Sequence, residues 1–284
     1  MIYKFRSIEG LALLAVVFAL CFGAGMAAHA DPYAVIDIQT LKNQGRLKPL
    51  VEVVIADDPA YGKKKRYMGY PLEALLRTVP DIEKIRKAGG ELVFHCADGY
   101  TPVMSLDDAL KKRGVIAVRD LNAPKGKDWM PVMQGGKTVS PAPFYLVWEG
   151  VSHKDKRYHW PYELQSISVM PYMEYYTAAV PRVPKTSVVY RGMTLFKTRC
   201  LMCHTVNLVG GTVGPELNVP HNVTEYWKEG MLRQFIRNAP GFRARSGMPA
   251  FGDLSEMELN AILAYLRTMK GAKICGENRP CPQR

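Results

Sequence analysis

Two kinds of hydrophobic pattern divide the chain. From Val35 to Val169 apolar residues come in short runs, β-branched and partly alternating. These are Val35-Ile36-Asp37-Ile38, Leu50-Val51-Glu52-Val53-Val54-Ile55, Glu91 to Ala97, Val115-Ile116-Ala117-Val118, Phe144 to Trp148 and Ile167-Ser168-Val169. Such runs, bounded by Gly, Pro and Asp turns, predict strands. Met68 to Leu76 predicts a short helix with Pro71 in its first turn, and Leu106 to Arg113 predicts another. Beyond Val188 the period becomes helical. Val189, Met193 and Phe196 share one stripe, and Leu259, Ile262, Leu263 and Leu266 share a second. The second stripe opens with Ser255 and has Glu258 three positions later, a capping-box signature.

The order of elements predicts two domains of different class: an N-terminal α+β domain on a mixed sheet, then an all-α domain. A chain of 284 residues has room for both. The expected boundaries are 31–176 for the first domain and 188–274 for the second. Between them, 177–187 carries Pro181 and Pro184 and is expected to be a semi-rigid linker. Residues 275–284 form a tail in which Cys275 and Cys281 are expected to close a small disulfide loop. Residues 1–30 read as a signal peptide: Lys4 and Arg6 first, an apolar run from Leu11 to Phe22, then Ala28-His29-Ala30. Cleavage is expected near Ala30/Asp31. The run is short for a membrane span and is followed by Gly23 and Gly25, so no transmembrane span is expected after cleavage. The expected location is the periplasm, which permits disulfides.

The sharpest chemistry is Arg199-Cys200-Leu201-Met202-Cys203-His204. Cys-x-x-Cys-His is the attachment signature of a c-type haem. Two thiols at that spacing add across the two vinyl groups of one porphyrin, and the following His204 can give a ring nitrogen to the iron. A zinc site would want a second Cys/His pair at comparable spacing, and downstream there are only Cys275 and Cys281. A redox dithiol would want a βαβ context, which the pattern does not offer.

Four landmarks follow one another around that motif: the Gly192-Met193-Thr194-Leu195-Phe196 helix, Cys200 to His204, Gly214-Pro215-Glu216-Leu217, and Gly247-Met248-Pro249-Ala250-Phe251 before the last helix. In this order the stretch from Val188 to about Gly271 resembles class I cytochrome c. The resemblance implies one covalent haem c on Cys200 and Cys203, Pro215 against the proximal imidazole, and His204 and Met248 as axial iron ligands. A soft thioether on one face raises the reduction potential relative to His-only ligation. His221 is a rival sixth ligand outside that pattern. Tyr226, Trp227, Leu232 and Phe235 are expected to wall the pocket, Gly210 to Gly214 to let backbone approach the haem edge, and Arg243 and Arg245 either to meet a propionate or to be solvated.

In the first domain, Gly69-Tyr70-Pro71-Leu72 with Leu75-Leu76, a strand, Ala97-Asp98-Gly99-Tyr100, a loop with Pro141-Ala142-Pro143 and a last strand resemble the molybdopterin-binding domain of the sulfite oxidase superfamily, over about Ile36 to Met173. The resemblance implies a molybdenum-ligating cysteine just before the Gly-x-Pro-Leu helix. Here that strand, Val53 to Asp58, has none, and the domain's one cysteine, Cys96, comes after the helix. The fold is therefore expected without molybdopterin. His95 and Cys96 point to opposite faces of their strand. They are either a hydrogen-bonded histidine and a buried thiol, or one of them joins Met104, Met130 or Met133 in a soft copper site. His153 and His159 are expected at the surface.

The formal charge of +12 predicts an acidic partner or anionic surface. Nucleic acid is excluded by the export signal and by the lack of a basic run interleaved with aromatics. The reading that follows is an electron carrier whose first domain docks it to a periplasmic redox protein, a dehydrogenase or a terminal oxidase. The alternative is a haem-containing dehydrogenase whose first domain oxidises a small anion such as sulfite.

Overall fold

The computed structural model describes residues 34–134, 137–171 and 175–274. The expected signal peptide and the Cys275–Cys281 bridge lie outside them. The described residues belong to one compact unit.

The first part alternates short strands and helices: β1 Ala34–Asp37, α1 Ile38–Asn43, β2 Val51–Asp58, β3 Lys63–Pro71, α2 Leu72–Leu76, α3 Ile82–Lys87, β4 Gly90–Cys96, β5 Val103–Ser105, α4 Leu106–Lys111 and β6 Gly114–Asp120. A small hairpin follows, β7 Val132–Gln134 with β8 Lys137–Val139, and then β9 Tyr145–Trp148 and β10 Leu164–Pro171. Two four-stranded sheets result, ordered β1-β10-β4-β5 and β2-β3-β6-β9. Neighbouring strands pair antiparallel in both. The α+β expectation holds for this region.

Local chemistry explains where elements begin. Asp37 accepts a hydrogen bond from the Thr40 amide at 2.6 Å, so the chain turns into α1 at Ile38 and does not extend β1. Met68 to Tyr70, expected as helix, belong instead to β3, and α2 starts only after Pro71. The lysine-rich start of β3 hid its alternation. Lys65 and Tyr67 are fully buried while Lys64 and Arg66 face solvent. Lys65 is ion-paired with Asp120 in β6, both side chains inaccessible, and lies 4.0 Å from the Tyr61 ring centroid. Gly69 has no room for a side chain, since a Cβ would stand 2.4 Å from the Ile116 carbonyl oxygen.

One core lies among α1, α2, α4 and faces of both sheets, with Ile38, Leu72, Leu75, Phe94, Leu106, Leu146 and Trp148. The other face of the second sheet carries Val53, Tyr67, Val115, Tyr145 and Val147 under Trp129 and Trp160.

The second part comprises α5 Val188–Arg199, a minimal hairpin of β11 Thr205–Val206 and β12 Val209–Gly210, α6 Val223–Tyr226, α7 Glu229–Arg237, α8 Ala239–Phe242 and α9 Glu256–Met269. Helices α5 and α9 pack at Gly192, where a Cβ would stand 1.9 Å from the Ala261 carbonyl oxygen. Phe196 and Tyr265 stack there at 5.3 Å. The predicted capping box of α9 is present: the Ser255 hydroxyl accepts from the Glu258 amide and Glu258 accepts from the Ser255 amide. Segment 177–187, expected as a spacer, starts as a 3-10 turn at Thr177–Ala179 with Ala179 buried. The Tyr265 hydroxyl donates to the Ala179 carbonyl at 2.8 Å. Tyr176 and Ala179 join the helical core, and that apolar anchorage overrides the linker composition. No helix among the described residues is long and apolar enough to cross a membrane.

Candidate haem-attachment site

Helix α5 delivers the attachment loop. It ends as the Cys200 amide donates to Phe196, after which the amides of Cys203 and His204 both return to the Cys200 carbonyl, at 3.0 Å each. The loop is thereby wound into a tight turn that sets both thiols and the imidazole on neighbouring positions. Cys200 and Cys203 are free thiols. Burial raises both, Cys200 to about 12 and Cys203 to about 11.

The imidazole of His204 is oriented by the turn expected to pack on it. Nδ1 lies 2.8 Å from the Pro215 carbonyl oxygen. A carbonyl only accepts, so the proton sits on Nδ1 and Nε2 keeps its lone pair. Burial lowers the His204 pKa, opposed by the Pro215 hydrogen bond and the Glu216 charge, so the neutral, ligating form is favoured. Gly214 lies under the ring, where a Cβ would stand 2.4 Å from Cε1. Glycine is needed at this position for contact with the imidazole. Glu216 then knits the turn: its carboxylate accepts from the amides of Asn207, Leu208, Asn218 and Val219.

Met248 is half-buried and packs on the same apolar cluster as Cys200, Trp227 and Phe251. Its loop is fastened to the attachment helix by Arg199, whose Nη2 donates to both oxygens of Asp253 at 2.6 Å. The Arg199 guanidinium also lies 5.4 Å from the Phe251 ring centroid. Of the expected pocket walls, Leu232 is buried and Trp227 and Phe235 stack at 5.1 Å, while Tyr226 is 57% exposed. Phe242 completes an aromatic trio with them, 6.1 Å from Trp227 and 5.7 Å from Phe235. Arg243 and Arg245 are exposed and form no ion pair among the described residues. His221 is exposed.

These observations fit a covalently held haem c. The set offers two thiols at the attachment spacing, an imidazole whose free nitrogen is fixed by hydrogen bonding, a thioether on the same apolar cluster, and aromatic walls. Sequence reasoning missed a chain of buried asparagines behind the loop. Asn218 donates to Asn207, Asn222 donates to Asn218 and to the Leu266 carbonyl, and Asn207 donates to the carbonyls of Ala178 and Ala272. Asn222 also caps α6, in a capping box with Glu225.

The candidates of the first region are dispersed. His95 bonds the Ser168 hydroxyl at 2.9 Å, and Cys96 is buried on the other face. Met104 lies in the core, Met130 accepts from Lys65, and Met133 is 69% exposed. The soft copper site is therefore not assembled. His153 is exposed beside Asp57, as expected. His159 is half-buried and not fully exposed, and burial lowers its pKa to about 4. Trp148, donating from its indole to the His159 carbonyl at 2.7 Å, holds that segment inward.

Residues 188–266 match the family described as cytochrome C oxidase, cbb3-type, subunit III. The chain is similar to cytochrome c of Kluyveromyces lactis, 34% identical over 97 residues, which covers 27% of this chain and 86% of that protein. It is also similar to cytochrome c oxidase subunit 2 of Alkalihalophilus pseudofirmus, 31% identical over 94 residues, which covers 31% of this chain and 27% of that subunit. The chain thus spans most of the first relative and a minor part of the second.

Proposed function

From the premise that the chain belongs to the cytochrome c family through its C-terminal helical region, we propose that it is an exported, periplasmic electron carrier with one covalent haem c. When bound, the haem supplies a one-electron Fe(II)/Fe(III) couple. Cys200 and Cys203 would tether it, and His204 through Nε2 and Met248 through its thioether would hold the iron. Trp227, Leu232 and Phe235 exclude water from the rim. Held by the side chains of both His204 and Met248, the iron would suit electron transfer and not substrate binding at the metal. The matched family and the one relative named as cytochrome c oxidase subunits support a redox enzyme such as a terminal oxidase or a dehydrogenase as the partner. The basic charge supports an acidic docking face on it.

The observation that carries this reading is the Nδ1 contact of His204 with Pro215, which leaves Nε2 as a preset ligand directly after the second attachment cysteine. The alternative, a sulfite-type oxidation in the first region, has no comparable support. Cys96 is buried, its thiol is pushed far up by burial, and its amide is bonded to the Tyr100 carbonyl. The sheet region is proposed to share the fold of sulfite oxidase-type domains without their metal.

The test is the purified secreted protein. One haem per chain that resists acid-acetone extraction, with the long-wavelength sulfur-to-iron band in the oxidised form and no carbon monoxide uptake in the reduced form, is expected. A colourless protein, extractable haem or ready carbon monoxide binding would overturn the reading.

A further inference from the structure

The haem-attachment loop is held from outside its own helical region. After β4 the chain makes a tight turn at Asp98-Gly99-Tyr100. The Asp98 carboxylate accepts from the Tyr100 amide at 2.9 Å, and Gly99 stands at φ +86°. This turn lies directly on Met202, the residue between Leu201 and the second attachment cysteine. The Thr101 amide donates to the Met202 carbonyl at 2.9 Å. The Tyr100 hydroxyl donates to the Met202 sulfur at 3.3 Å. On the far side of the loop, the Thr212 amide donates to the Gly99 carbonyl at 2.9 Å.

The fit is close on both sides. A Cβ on Gly99 would stand 2.3 Å from the Thr212 hydroxyl, and a Cβ on Gly211 would stand 2.1 Å from the Met202 carbonyl oxygen. A second anchor keeps the regions together. Lys197 on α5 is ion-paired with Glu91 on β4, both largely buried, and lies 4.6 Å from the Tyr176 ring centroid.

We propose that the Asp98–Thr101 turn is a positioning element of the redox site, with Tyr100 and the Thr101 amide holding Met202, and through it Cys203 and His204, while shielding that edge of the haem from water. This rests on the carrier reading above. Its physical content is that an element outside the cytochrome fold helps to set the reduction potential. A drier edge disfavours the more highly charged Fe(III) state, and a fixed loop keeps the imidazole on its hydrogen bond to Pro215. The sheet region thus acts on the haem and not only on a partner.

The test uses full-length holoprotein and two variants that leave every proposed haem-contacting residue in place. Gly99→Val demands a side chain at positive φ and against Thr212, so it lifts the turn off the loop. Tyr100→Phe removes only the hydroxyl donor. At a poise where the wild type is half reduced, Gly99→Val is expected to shift the oxidised-to-reduced ratio about tenfold toward oxidised, about 59 mV for a one-electron couple. Tyr100→Phe should shift it about two- to threefold in the same direction, with the sulfur-to-iron band retained in both. Should Gly99→Val fail to fold, Tyr100→Phe decides alone. Wild-type ratios in variants that carry full covalent haem would overturn the proposal and leave the carrier reading intact. Absence of covalent haem in the wild type would overturn the carrier reading first.

Discussion

The sheet region and the helical region handle their awkward side chains in opposite ways. The sheet region pairs several of its buried polar groups internally. Its largest side chains, Trp148, Tyr67 and Tyr145, are fully buried, and the charged Asp58, Lys65 and Asp120 are buried with them. Asp58 is inaccessible and accepts from the hydroxyls of Tyr67 at 2.8 Å and Tyr145 at 3.2 Å. The helical region leaves Val213, Tyr226, Met231 and Phe242 between 42% and 57% exposed, beside two free thiols and an imidazole with an open nitrogen. Buried polar groups that pair within their own region, as Asp58, Lys65 and Asp120 do, serve that region's stability. One that keeps apolar surface and reactive groups at a rim is built around a second component.

The comparison breaks most sharply at the cysteines. Replacing both Cys200 and Cys203 by Ala should abolish covalent haem entirely. Hydrogen exchange should then show α5 to α9 losing protection by on the order of 2–4 kcal/mol, the stabilisation that a tightly held ligand gives the state it binds. Strands β4, β6 and β9 should stay protected. Equal loss in both regions would mean that the haem stabilises the whole unit. The converse experiment is Trp148→Ala. It removes a fully buried side chain and the indole donor to His159, and should cost about 3–5 kcal/mol in chemical denaturation. The haem spectrum of the folded fraction should not change.

Met248→Ala tests the rim alone. Covalent haem should remain, but the potential should fall by about a hundredfold change in the redox ratio, about 120 mV. The reduced protein should take up carbon monoxide. Survival of the sulfur-to-iron band would assign the ligand elsewhere. The smallest effect is a pH dependence belonging to the sheet region. His159 stays neutral in the fold down to about pH 4, whereas the unfolded chain takes up that proton near pH 6.5. Stability from this group is complete above about pH 6.5 and is lost as pH falls toward 4, because the unfolded state then binds more protons. Between pH 7 and pH 5 the loss should be about 2 kcal/mol, and His159→Gln should flatten that part of the curve. His95, also lowered by burial, acts in the same direction.

Much of the helical region was legible because its signals are local. The attachment motif, the α5 stripe and the Ser255–Glu258 capping box each depend on residues a few positions apart, and each element stands where its pattern predicted. Most strands of the sheet region were legible for the same reason. Strand β3 was not, since a lysine run carries no hydrophobic alternation until Asp120 pairs with Lys65 from 55 positions away. His159 read as a surface residue because its loop is rich in Lys, Arg and Trp, whereas it is half-buried, with the indole of Trp148 donating to its carbonyl.

By itself the sequence determined the make-up of the candidate attachment loop: two thiols and an imidazole at a spacing that the covalent chain fixes. It also determined the alternation of strand and helix, which follows from side-chain period. Only the tertiary structure decided what stands against that loop. The Pro215 carbonyl selects the tautomer of His204, the asparagine chain braces the loop from behind, and the Asp98–Thr101 turn reaches it from a sheet about a hundred residues earlier. Those contacts join distant positions through hydrogen bonds that carry no periodic or compositional trace, so they exist as information only once the chain has folded.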